Sequence, residues 1–439
     1  MIIGGKRVDK EEKIDVTNPF DGSILDTVPS GNASDINQAI EAAQEGYAIN
    51  RSLPIHQRIS ILKKTAVIME ERSEMLAHTI ATEGSKTIRE ARKEVGRAIN
   101  TISISAEEAS RINGETIPFD TAQGSENKIG YYYRFPIGII AAITPFNDPL
   151  NLVAHKVGPA IAGGNSVIVK PATVTPLSAI KLGECLLEAG LPSPIISVVT
   201  GYGSKLGDSL VSDPRVRMIS FTGGVEAGEH ISRIAGLKKL GMELGSNSPV
   251  IVLPDCKLDA AVESCVSGAF WAVGQNCIGV QRIYIQQEVY ESFREQFVAR
   301  TKQYKTGSLL DENTDMGPMI TEEEAKRVEE WVQEALSQGA KLLTGGERNG
   351  KPRPIIDAHS KEWADLFPSG RVSVEFHHGF IHVIDSAIAE QIENGSYRAE
   401  VVEAVLVPSD SRPCCRRGAL VGGRRRNIGA VVAEHDSGR

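Results

Sequence analysis

The feature that most constrains the fold is a run of short apolar segments that alternates with helical segments between residues 138 and 224. Three apolar segments, at 138–143, 166–170 and 195–200, have the length and composition of buried strands. Strands that alternate with helices form parallel βαβ units, whose sheet is covered by helices on both faces. The chain is therefore expected to be an α/β protein built on an open parallel sheet.

Polar residues and glycines follow several of these predicted strands. Lys170 ends one strand and Thr200 ends another. The Thr-Gly-Gly turn at 222–224 follows a further predicted strand at 218–221. Ligands of open parallel sheets bind at the carboxyl ends of the strands, and a helix N-terminus behind a glycine turn favours phosphate. The turn is not a Walker A loop and lacks the spaced glycines of the usual dinucleotide fingerprint. A plain strand-to-helix turn remains the alternative.

The rest of the chain adds a helical region and a second α/β unit. Helices are predicted at 34–49, with an N-cap at Ser34-Asp35, and at 55–82 and 86–110. An extended segment is predicted at 115–134. The second unit starts near Ser248, and its predicted strands lie at 249–253 and 281–285, with helices at 258–273, 289–304 and 322–337. At 439 residues, the chain is expected to hold two or three domains.

The composition argues against several classes of partner. The net charge of −8 disfavours nucleic acid and anionic membrane surfaces. The longest apolar stretch, 135–146, is too short for a bilayer span, and the N-terminal residues lack the apolar core of a signal peptide. Six cysteines do not make a disulfide scaffold, so a cytoplasmic location with reduced thiols is expected. No Cys/His spacing suggests zinc, and no metal is expected.

Cys277 is the candidate nucleophile. It ends the Gly-Gln-Asn-Cys segment at 274–277, between a predicted helix and a predicted strand. A thiolate is the best side-chain nucleophile, and a helix or loop end can lower the pKa of a thiol. The alternative is a buried structural cysteine, an interpretation that suits Cys185, Cys256 and Cys265 better.

Two further side chains could assist such a nucleophile. Glu243 lies in a mostly apolar segment, where a carboxylate could have a raised pKa and act as a general base. An ordinary ion-paired or edge-strand glutamate is the alternative. Asn147 follows a predicted buried strand, and its amide could donate to a developing oxyanion. A turn asparagine is the alternative there.

Taken together, five segments resemble the aldehyde dehydrogenase superfamily in their order and spacing. They are Thr-Pro-Phe-Asn at 144–147, Val-Lys-Pro at 169–171, Phe-Thr-Gly-Gly at 221–224, Glu-Leu-Gly at 243–245 and Gly-Gln-Asn-Cys at 274–277. The resemblance covers about residues 1–350. It implies a Rossmann-type cofactor domain at 1–247, with an oligomerisation hairpin at 115–135, followed by an α/β catalytic domain at 248–350.

The resemblance also implies a mechanism and a small aldehyde as substrate. Cys277 would attack the aldehyde, and the Asn147 amide and the Cys277 backbone N–H would hold the oxyanion. Hydride would pass to NAD or NADP, leaving a thioester that a water activated by Glu243 hydrolyses. This covalent route splits one difficult step into two.

The family pattern implies the cofactor site as well. Lys170 would hold the adenosine ribose, and the turn from Gly223 to Gly228 would lie against the pyrophosphate. The cofactor-binding residues implied in this way are Thr144, Lys170, Thr173, Gly207, Gly223, Gly224 and Gly228. Thr173 stands where NAD-restricted members often carry glutamate. A hydroxyl can donate to a 2′-phosphate, whereas a carboxylate would repel it, so NADP is slightly favoured.

Three positions depart from the family pattern but leave the implied catalytic residues in place. Phe146 replaces the usual tryptophan, Asp148 replaces a common aromatic residue that borders the substrate tunnel, and Ser246 replaces a glycine. The chain resembles the lactaldehyde, non-phosphorylating glyceraldehyde-3-phosphate and succinate-semialdehyde branches, and the sequence does not choose among these substrates.

The composition changes after Gly350. Residues 1–350 contain 19 Lys and 17 Arg, whereas residues 351–439 contain 2 Lys and 10 Arg. The family's Glu-x-Phe-Gly-Pro segment and closing oligomerisation strand are absent. A frameshifted or otherwise disrupted tail with loose packing is expected, which puts the family's homo-oligomer in doubt. The alternative is a compact domain built on 372–376 and 381–392.

Two other functions stay open beside aldehyde oxidation. The first is an inactive remnant that binds nucleotide weakly, which the atypical tail favours. The second is an acylating dehydrogenase that passes the thioester to coenzyme A. Glu243 disfavours the second, because that route needs no hydrolytic base.

Overall fold

The computed structural model describes residues 1–247 and 249–346, together with the backbone of four later strands. The helices in this part of the chain are α1 (Ala33–Asn50), α2 (Ile55–Glu71), α3 (Ser73–Glu83), α4 (Ile88–Glu108), α5 (Asn151–Ala162), α6 (Leu177–Glu188), α7 (Gly203–Ser212), α8 (Val225–Ile234), α9 (Leu258–Phe270), α10 (Gln287–Thr301) and α11 (Glu322–Ser337). The strands are β1 (Ile2–Ile3), β2 (Lys6–Arg7), β3 (Lys13–Thr17), β4 (Ile24–Pro29), β5 (Glu115–Ile117), β6 (Gly130–Tyr132), β7 (Ile139–Ile143), β8 (Ser166–Lys170), β9 (Ile196–Val198), β10 (Val216–Thr222), β11 (Lys239–Glu243), β12 (Pro249–Val252), β13 (Arg282–Ile285), β14 (Lys341–Leu342), β15 (Arg348–Asn349), β16 (Ile355–Ile356), β17 (Val372–His377) and β18 (Phe380–Asp385).

The first sheet has seven strands in the order β11-β10-β7-β8-β9-β1-β2. The strands from β11 to β9 are parallel, and β1 joins antiparallel to β9. In register, Ile143 lies opposite both Lys170 and Phe221, and Thr222 lies opposite Glu243. The expected α/β class is therefore confirmed, and the carboxyl ends of four strands meet at one edge.

This sheet is covered on both faces, as its apolar strands require. Along β7, Ile140 and Ala142 point into a core shared with helices α2 to α6. Ile139 and Ala141 point to the other face, where α1, α7 and α8 pack. The side-chain period of a strand is two residues, so continuous apolar strands such as β7 supply both cores.

The second sheet has five strands in the order β12-β13-β17-β18-β14. Strand β12 runs parallel to β13, and the other pairs are antiparallel. Helices α9, α10 and α11 pack around Val266, Phe293, Phe297 and Val328 to form its core. The hairpin β17–β18 coincides with 372–376 and with the first part of 381–392, on which the compact-domain alternative is built, and that alternative stays a prediction. The other expectations for 351–439, including the frameshift, lie outside the described residues.

Two predicted helix boundaries were wrong. Helix α1 is capped by Asn32 rather than by Ser34-Asp35, because the Asn32 side chain accepts from the Asp35 N–H and the Asp35 carboxylate accepts from the Asn32 N–H. This reciprocal pair is a capping box. The helix predicted at 55–82 breaks at Arg72. The break redirects α3, so that Leu76 and Ile80 reach the same core as α2.

The segment at 115–134 forms the expected hairpin. Strands β5 and β6 pair antiparallel. Several large apolar side chains in and beside this hairpin are exposed, among them Ile129, Tyr131, Tyr133 and Phe135. Its role as an oligomerisation arm stays a prediction. The short N-terminal strands β1 to β4 and the edge strand β11 were not predicted from the sequence.

Candidate active site

A cavity of about 370 Å³ opens at the carboxyl edge of the first sheet. Six of the ten residues predicted from the sequence line it: Thr144, Asn147, Gly223, Gly224, Glu243 and Cys277. The other four, Lys170, Thr173, Gly207 and Gly228, are not part of its lining. The fold therefore brings together the candidate nucleophile, the candidate oxyanion donor and the candidate base, which are far apart in sequence.

Cys277 follows a strained turn at Trp271–Gly274. Ala272 and Val273 adopt φ values of 51° and 61° in this turn. Left-handed backbone costs a residue with a side chain about 1–2 kcal/mol, so it persists only where the surroundings hold it. Both residues are buried, and their packing contributes to that hold.

The loop that carries Cys277 is tied to its surroundings by polar contacts. Asn147 Nδ2 donates to the Gln275 carbonyl at 2.7 Å, and the Ile320 N–H donates to Gln275 Oε1 at 3.0 Å. The Ser246 hydroxyl donates to the carbonyl of Cys277. The loop is thus anchored to the first sheet, to the segment after β11 and to the segment before α11.

The thiol of Cys277 has a raised pKa. Partial desolvation of the thiol is the main cause, although the residue as a whole is exposed, and the negative charges of Asp148 and Glu243 add to it. A backbone hydrogen bond at the same residue lowers the pKa but does not outweigh these effects. A loop end can lower the pKa of a thiol, but here desolvation outweighs that effect and the two carboxylates add to the rise.

Asn147 is held in place by the same contact that anchors the Cys277 loop. One N–H of its amide is used by the Gln275 carbonyl, which leaves the second N–H for another acceptor. Its Oδ1 atom is buried and has no partner in the described part of the chain. The amide is therefore fixed beside Cys277 with donor capacity to spare.

Glu243 ends β11, which is the edge strand of the sheet. Its backbone carbonyl accepts from the Gly223 N–H at 3.1 Å, and this ties the strand end to the glycine turn. The residue is exposed, so the apolar surroundings expected from the sequence were wrong. An exposed carboxylate in the cavity wall can reach water.

The polar side chains predicted to bind a cofactor differ in their availability. Lys170 is buried and donates to the Pro171 carbonyl at 3.1 Å, and burial lowers its pKa to about 8. Thr173 donates to the Gly201 carbonyl at 3.2 Å. The hydroxyl of Thr144 is buried in the cavity wall and has no partner among the described residues.

The four glycines predicted to bind a cofactor differ in what surrounds them. A Cβ at Gly223 would lie 2.6 Å from the Phe221 ring, and a Cβ at Gly228 would lie 2.8 Å from a Leu244 methyl group. Packing alone accounts for these two. Gly207 faces open space. Gly224 is the N-cap of the ten-residue helix α8 and lines the cavity.

Sequence reasoning missed a buried lysine beside this site. Lys156 in α5 donates to Thr222 Oγ1 at 2.8 Å and to Ser220 Oγ at 3.1 Å. Burial lowers its pKa to about 8, while the charge of Glu243 opposes that change. The only local signal was a lysine in an otherwise apolar helix. Glu324 and Arg327 of α11 also line the cavity, and nothing local distinguished them.

A cluster of charged residues lies next to Asn147. Asp148 accepts from Lys86 and, at 2.8 Å, from Arg97. Lys93 and Arg97 also face the Trp271 ring, at 5.4 and 5.9 Å from its centre. Asp148, which replaces the family's common aromatic residue, therefore forms ion pairs with Lys86 and with Arg97 of helix α4.

The described residues contain no group of three or more His, Cys, Asp and Glu side chains arranged to hold a metal ion. In the same part of the chain, no helix is both long and apolar enough to span a membrane.

The fold and the site define an α/β protein in which a cysteine, an amide and a carboxylate face one cavity at the carboxyl edge of a parallel sheet. The chain belongs to the aldehyde dehydrogenase family, a family of oxidoreductases, whose model matches residues 7–356. This confirms the resemblance found in the sequence.

Named relatives support the assignment. The chain is 54% identical over 340 residues to aspartate-semialdehyde dehydrogenase 1 of Pseudomonas canavaninivorans, covering 77% of this chain and 72% of the relative. It is 43% identical over 350 residues to 3-sulfolactaldehyde dehydrogenase of Priestia aryabhattai, covering 80% of this chain and 73% of the relative. The crystal structure of NADP-dependent glyceraldehyde-3-phosphate dehydrogenase from Bacillus halodurans, complexed with NADP, matches with a TM-score of 0.76 and 39% identity, covering 80% and 74%.

Proposed function

We propose that this protein oxidises a small aldehyde to the carboxylic acid, with NAD or NADP as the acceptor and Cys277 as the nucleophile. The observation that carries the proposal is the meeting of Cys277, Asn147 and Glu243 in one cavity. Covalent aldehyde oxidation followed by hydrolysis needs a nucleophile, an oxyanion donor and a base, and these side chains supply one of each.

The residues act in two stages. The exposed thiol of Cys277 releases its proton to solvent, its sulfur bonds to the carbonyl carbon, and the free N–H of Asn147 donates to the oxygen as it becomes negative. When bound, the nicotinamide supplies a hydride acceptor, and loss of hydride from carbon leaves an acyl thioester on Cys277. Glu243 then takes a proton from water, the hydroxide oxygen bonds to the acyl carbon, and the C–S bond breaks to release the acid.

The cofactor fits the groups that line the cavity. The unpartnered Thr144 hydroxyl and the N-terminus of α8 at Gly224 offer donors for phosphate or ribose oxygens. We assign Lys170, Thr173, Gly207, Gly223 and Gly228 to the same binding region, in a cofactor unit spanning residues 1–247. NADP is favoured because Thr173 carries no charge to repel a 2′-phosphate, and because one relative of similar fold is complexed with NADP.

The substrate is proposed to carry an acidic group besides the aldehyde. The three relatives named above act on, by their names, aspartate semialdehyde, 3-sulfolactaldehyde and glyceraldehyde-3-phosphate. Each of these compounds has a carboxylate, sulfonate or phosphate. A cationic group beside the cavity would recognise such a substrate.

Arg97 is suited to that recognition. Its guanidinium is exposed, makes one hydrogen bond to Asp148, and has other N–H donors without a partner among the described residues. Asp148 follows Asn147 directly, so Arg97 lies close to the proposed oxyanion donor. Lys93, which faces the same Trp271 ring, adds a second positive charge.

The other two functions are supported less well. An acylating dehydrogenase needs no base for hydrolysis, yet Glu243 lines the cavity with Cys277. An inactive remnant keeps these three side chains by descent, and it is distinguished by the absence of turnover of the unmodified protein with every aldehyde tested. Aldehyde oxidation with hydrolysis accounts for all three side chains.

A Cys277→Ser variant tests the proposal. The protein would be assayed for NAD(P)H formation with NAD and with NADP against glyceraldehyde-3-phosphate, succinate semialdehyde and lactaldehyde, with and without coenzyme A. We expect turnover to be abolished while nucleotide affinity stays within about threefold, because serine without an adjacent base is a poor nucleophile. Cys256→Ser, at a half-buried cysteine outside the cavity, is the matched control. Turnover in Cys277→Ser equal to this control would contradict the mechanism, and an absolute need for coenzyme A would favour the acylating route.

A further inference from the structure

Three buried glutamates, one at the end of α3 and two on α4, accept hydrogen bonds from backbone N–H groups of distant segments. They are Glu83, Glu90 and Glu94. Glu90 and Glu94 are four residues apart in α4 and therefore one turn apart on the same side of the helix. The segments that these two bind are those that carry Cys277 and Asn147.

Glu94 holds the loop of Asn147. Its Oε1 accepts from the N–H groups of Leu150 at 2.9 Å and of Asn151 at 3.0 Å, which form the start of α5. Its Oε2 accepts from Lys86 at 2.7 Å, and Lys86 also donates to Asp148. One buried carboxylate thus fixes both the backbone and the side chain that follow Asn147.

Glu90 holds the loop of Cys277. Its Oε1 accepts from the Ala272 N–H at 3.0 Å, across 182 residues of sequence, and its Oε2 accepts from the Thr87 N–H at 3.0 Å. Ala272 is one of the two residues with a left-handed backbone in the turn before Cys277. A buried carboxyl oxygen that accepts from this N–H offsets part of the cost of the strained backbone, because the N–H would otherwise be left without a partner.

We propose that Glu90 and Glu94 are positioning residues, which set the placement of Cys277 relative to Asn147 by binding both loops to one rigid helix. The proposal rests on the function proposed above, in which these two side chains act on the same carbonyl group. Neither glutamate lines the cavity, so neither touches the substrate. Their effect on the reaction passes through the loops that they hold.

The test compares Glu90→Gln and Glu94→Gln with Glu83→Gln. Glutamine keeps one acceptor oxygen and replaces the other with a donor, so each variant loses part of its backbone contacts. Glu83 is the matched control, because it is equally buried and accepts from the N–H groups of Leu177 at 2.7 Å and Ser178 at 2.8 Å, at the start of α6 and outside the cavity. Thermal melting would measure the change in stability of each variant, so that kcat is compared under conditions where all three are folded.

Two readouts separate positioning from stability. We expect Glu90→Gln and Glu94→Gln to lower kcat at least tenfold relative to Glu83→Gln, with nucleotide Kd changed less than threefold. Cys277 is already exposed, and iodoacetamide should alkylate it at least threefold faster in Glu90→Gln, because a turn released from Glu90 lets the thiol move away from the carboxylates that disfavour its thiolate. The alkylation rate should rise less in Glu94→Gln than in Glu90→Gln, since Glu94 reaches the Cys277 loop only through the hydrogen bond between Asn147 and Gln275.

A rescue variant keeps the proposal falsifiable. Adding Ala272→Gly to Glu90→Gln should restore part of kcat and slow the alkylation, because glycine adopts the left-handed backbone without a side-chain penalty. If Glu94→Gln does not fold, Lys86→Met with Glu94→Gln removes the buried charge pair together and takes its place. A kcat equal to that of Glu83→Gln in both α4 variants would overturn the proposal. The alkylation rate needs no turnover, so it remains informative even if Cys277→Ser shows the proposed reaction to be wrong.

Discussion

The side chain of Glu243 is exposed at the end of an edge strand, yet its charge is felt by two other groups in the site. It adds to the raised pKa of the Cys277 thiol and opposes the lowering of the Lys156 pKa. In the proposed mechanism, the exposed carboxylate takes a proton from water, and its place in the same cavity as Cys277 puts that water near the acyl carbon. The same residue would then disfavour the resting thiolate and assist the later hydrolysis.

The Glu243→Gln variant should separate formation of the thioester from its hydrolysis. We expect a rapid burst of NAD(P)H close to one equivalent per site, followed by a steady rate at least tenfold below wild type, because only hydrolysis needs the base. Rapid mixing with NADP and an active aldehyde would measure both phases. Glu226→Gln, an acidic residue in the first turn of α8, is the control. Equal loss of burst and steady rate would show a structural role instead.

Arg97→Ala should change the choice of substrate. We expect kcat/KM to fall at least tenfold for succinate semialdehyde and glyceraldehyde-3-phosphate, and to change less than threefold for uncharged propanal, because only an acidic group pairs with the guanidinium. Arg92→Ala is the control, since Arg92 also lies on α4 but pairs with Glu74 and Glu312. A uniform loss for all three aldehydes would remove the proposed recognition role.

At the scale of a single helix, close packing against a neighbouring backbone decides whether a glycine can be replaced by a residue with a side chain. Gly46 lies in α1 where a Cβ would stand 2.1 Å from the Pro194 carbonyl oxygen and 2.7 Å from the Cα of Ile195. Gly96 lies in α4, and a Cβ there would meet no atom within 4 Å. The two glycines occupy the same kind of secondary structure but differ in what faces them.

Alanine substitutions at the two glycines should therefore have opposite effects. Gly46→Ala should destabilise the protein by roughly 1–3 kcal/mol, because backbone atoms must move to admit the methyl group. Gly96→Ala should stabilise it by about 1 kcal/mol, because alanine is the better helix former in an open position. Urea denaturation of both variants beside wild type would measure the difference, and a shift of the same sign in both would contradict this account of the packing.

At the scale of the whole molecule, buried carboxylates couple stability to pH. Burial raises the pKa of Glu83 from 4.5 to about 7, and its hydrogen bonds to Ser178 and Leu177 only partly oppose this. Between these two values the folded carboxyl keeps a proton that the unfolded carboxyl has released. The stabilisation is complete below pH 4.5 and is lost as pH rises through 7.

Glu83→Gln should remove this dependence. As the pH rises from 4.5 to 7.5, the free energy of unfolding of the variant should increase relative to that of wild type by as much as about 3 kcal/mol. The reason is that wild type loses the stabilisation by the protonated carboxyl, whereas glutamine does not ionise. Urea denaturation at several pH values would test this, with Glu11→Gln at an exposed site as the control. A difference between variant and wild type that stays constant with pH would show that the buried carboxyl does not titrate in this range.

The local pattern of the chain determined its architecture and its candidate residues. Continuous apolar runs specified β7, β8 and β10, and the residues after them reached one edge because parallel strands align their carboxyl ends. Motif order specified the family, and six of the ten candidate residues line one cavity. The strands and the motifs follow from neighbours in sequence, which is why they could be predicted from one chain.

Only the tertiary structure decided the environment of each side chain. The thiol of Cys277 has a raised rather than a lowered pKa, and Glu243 is exposed rather than shielded. The contact between Glu90 and Ala272 joins residues 182 positions apart. Burial, charge proximity and backbone strain depend on segments that folding brings together. No local pattern therefore reports them, although they govern how the site can react.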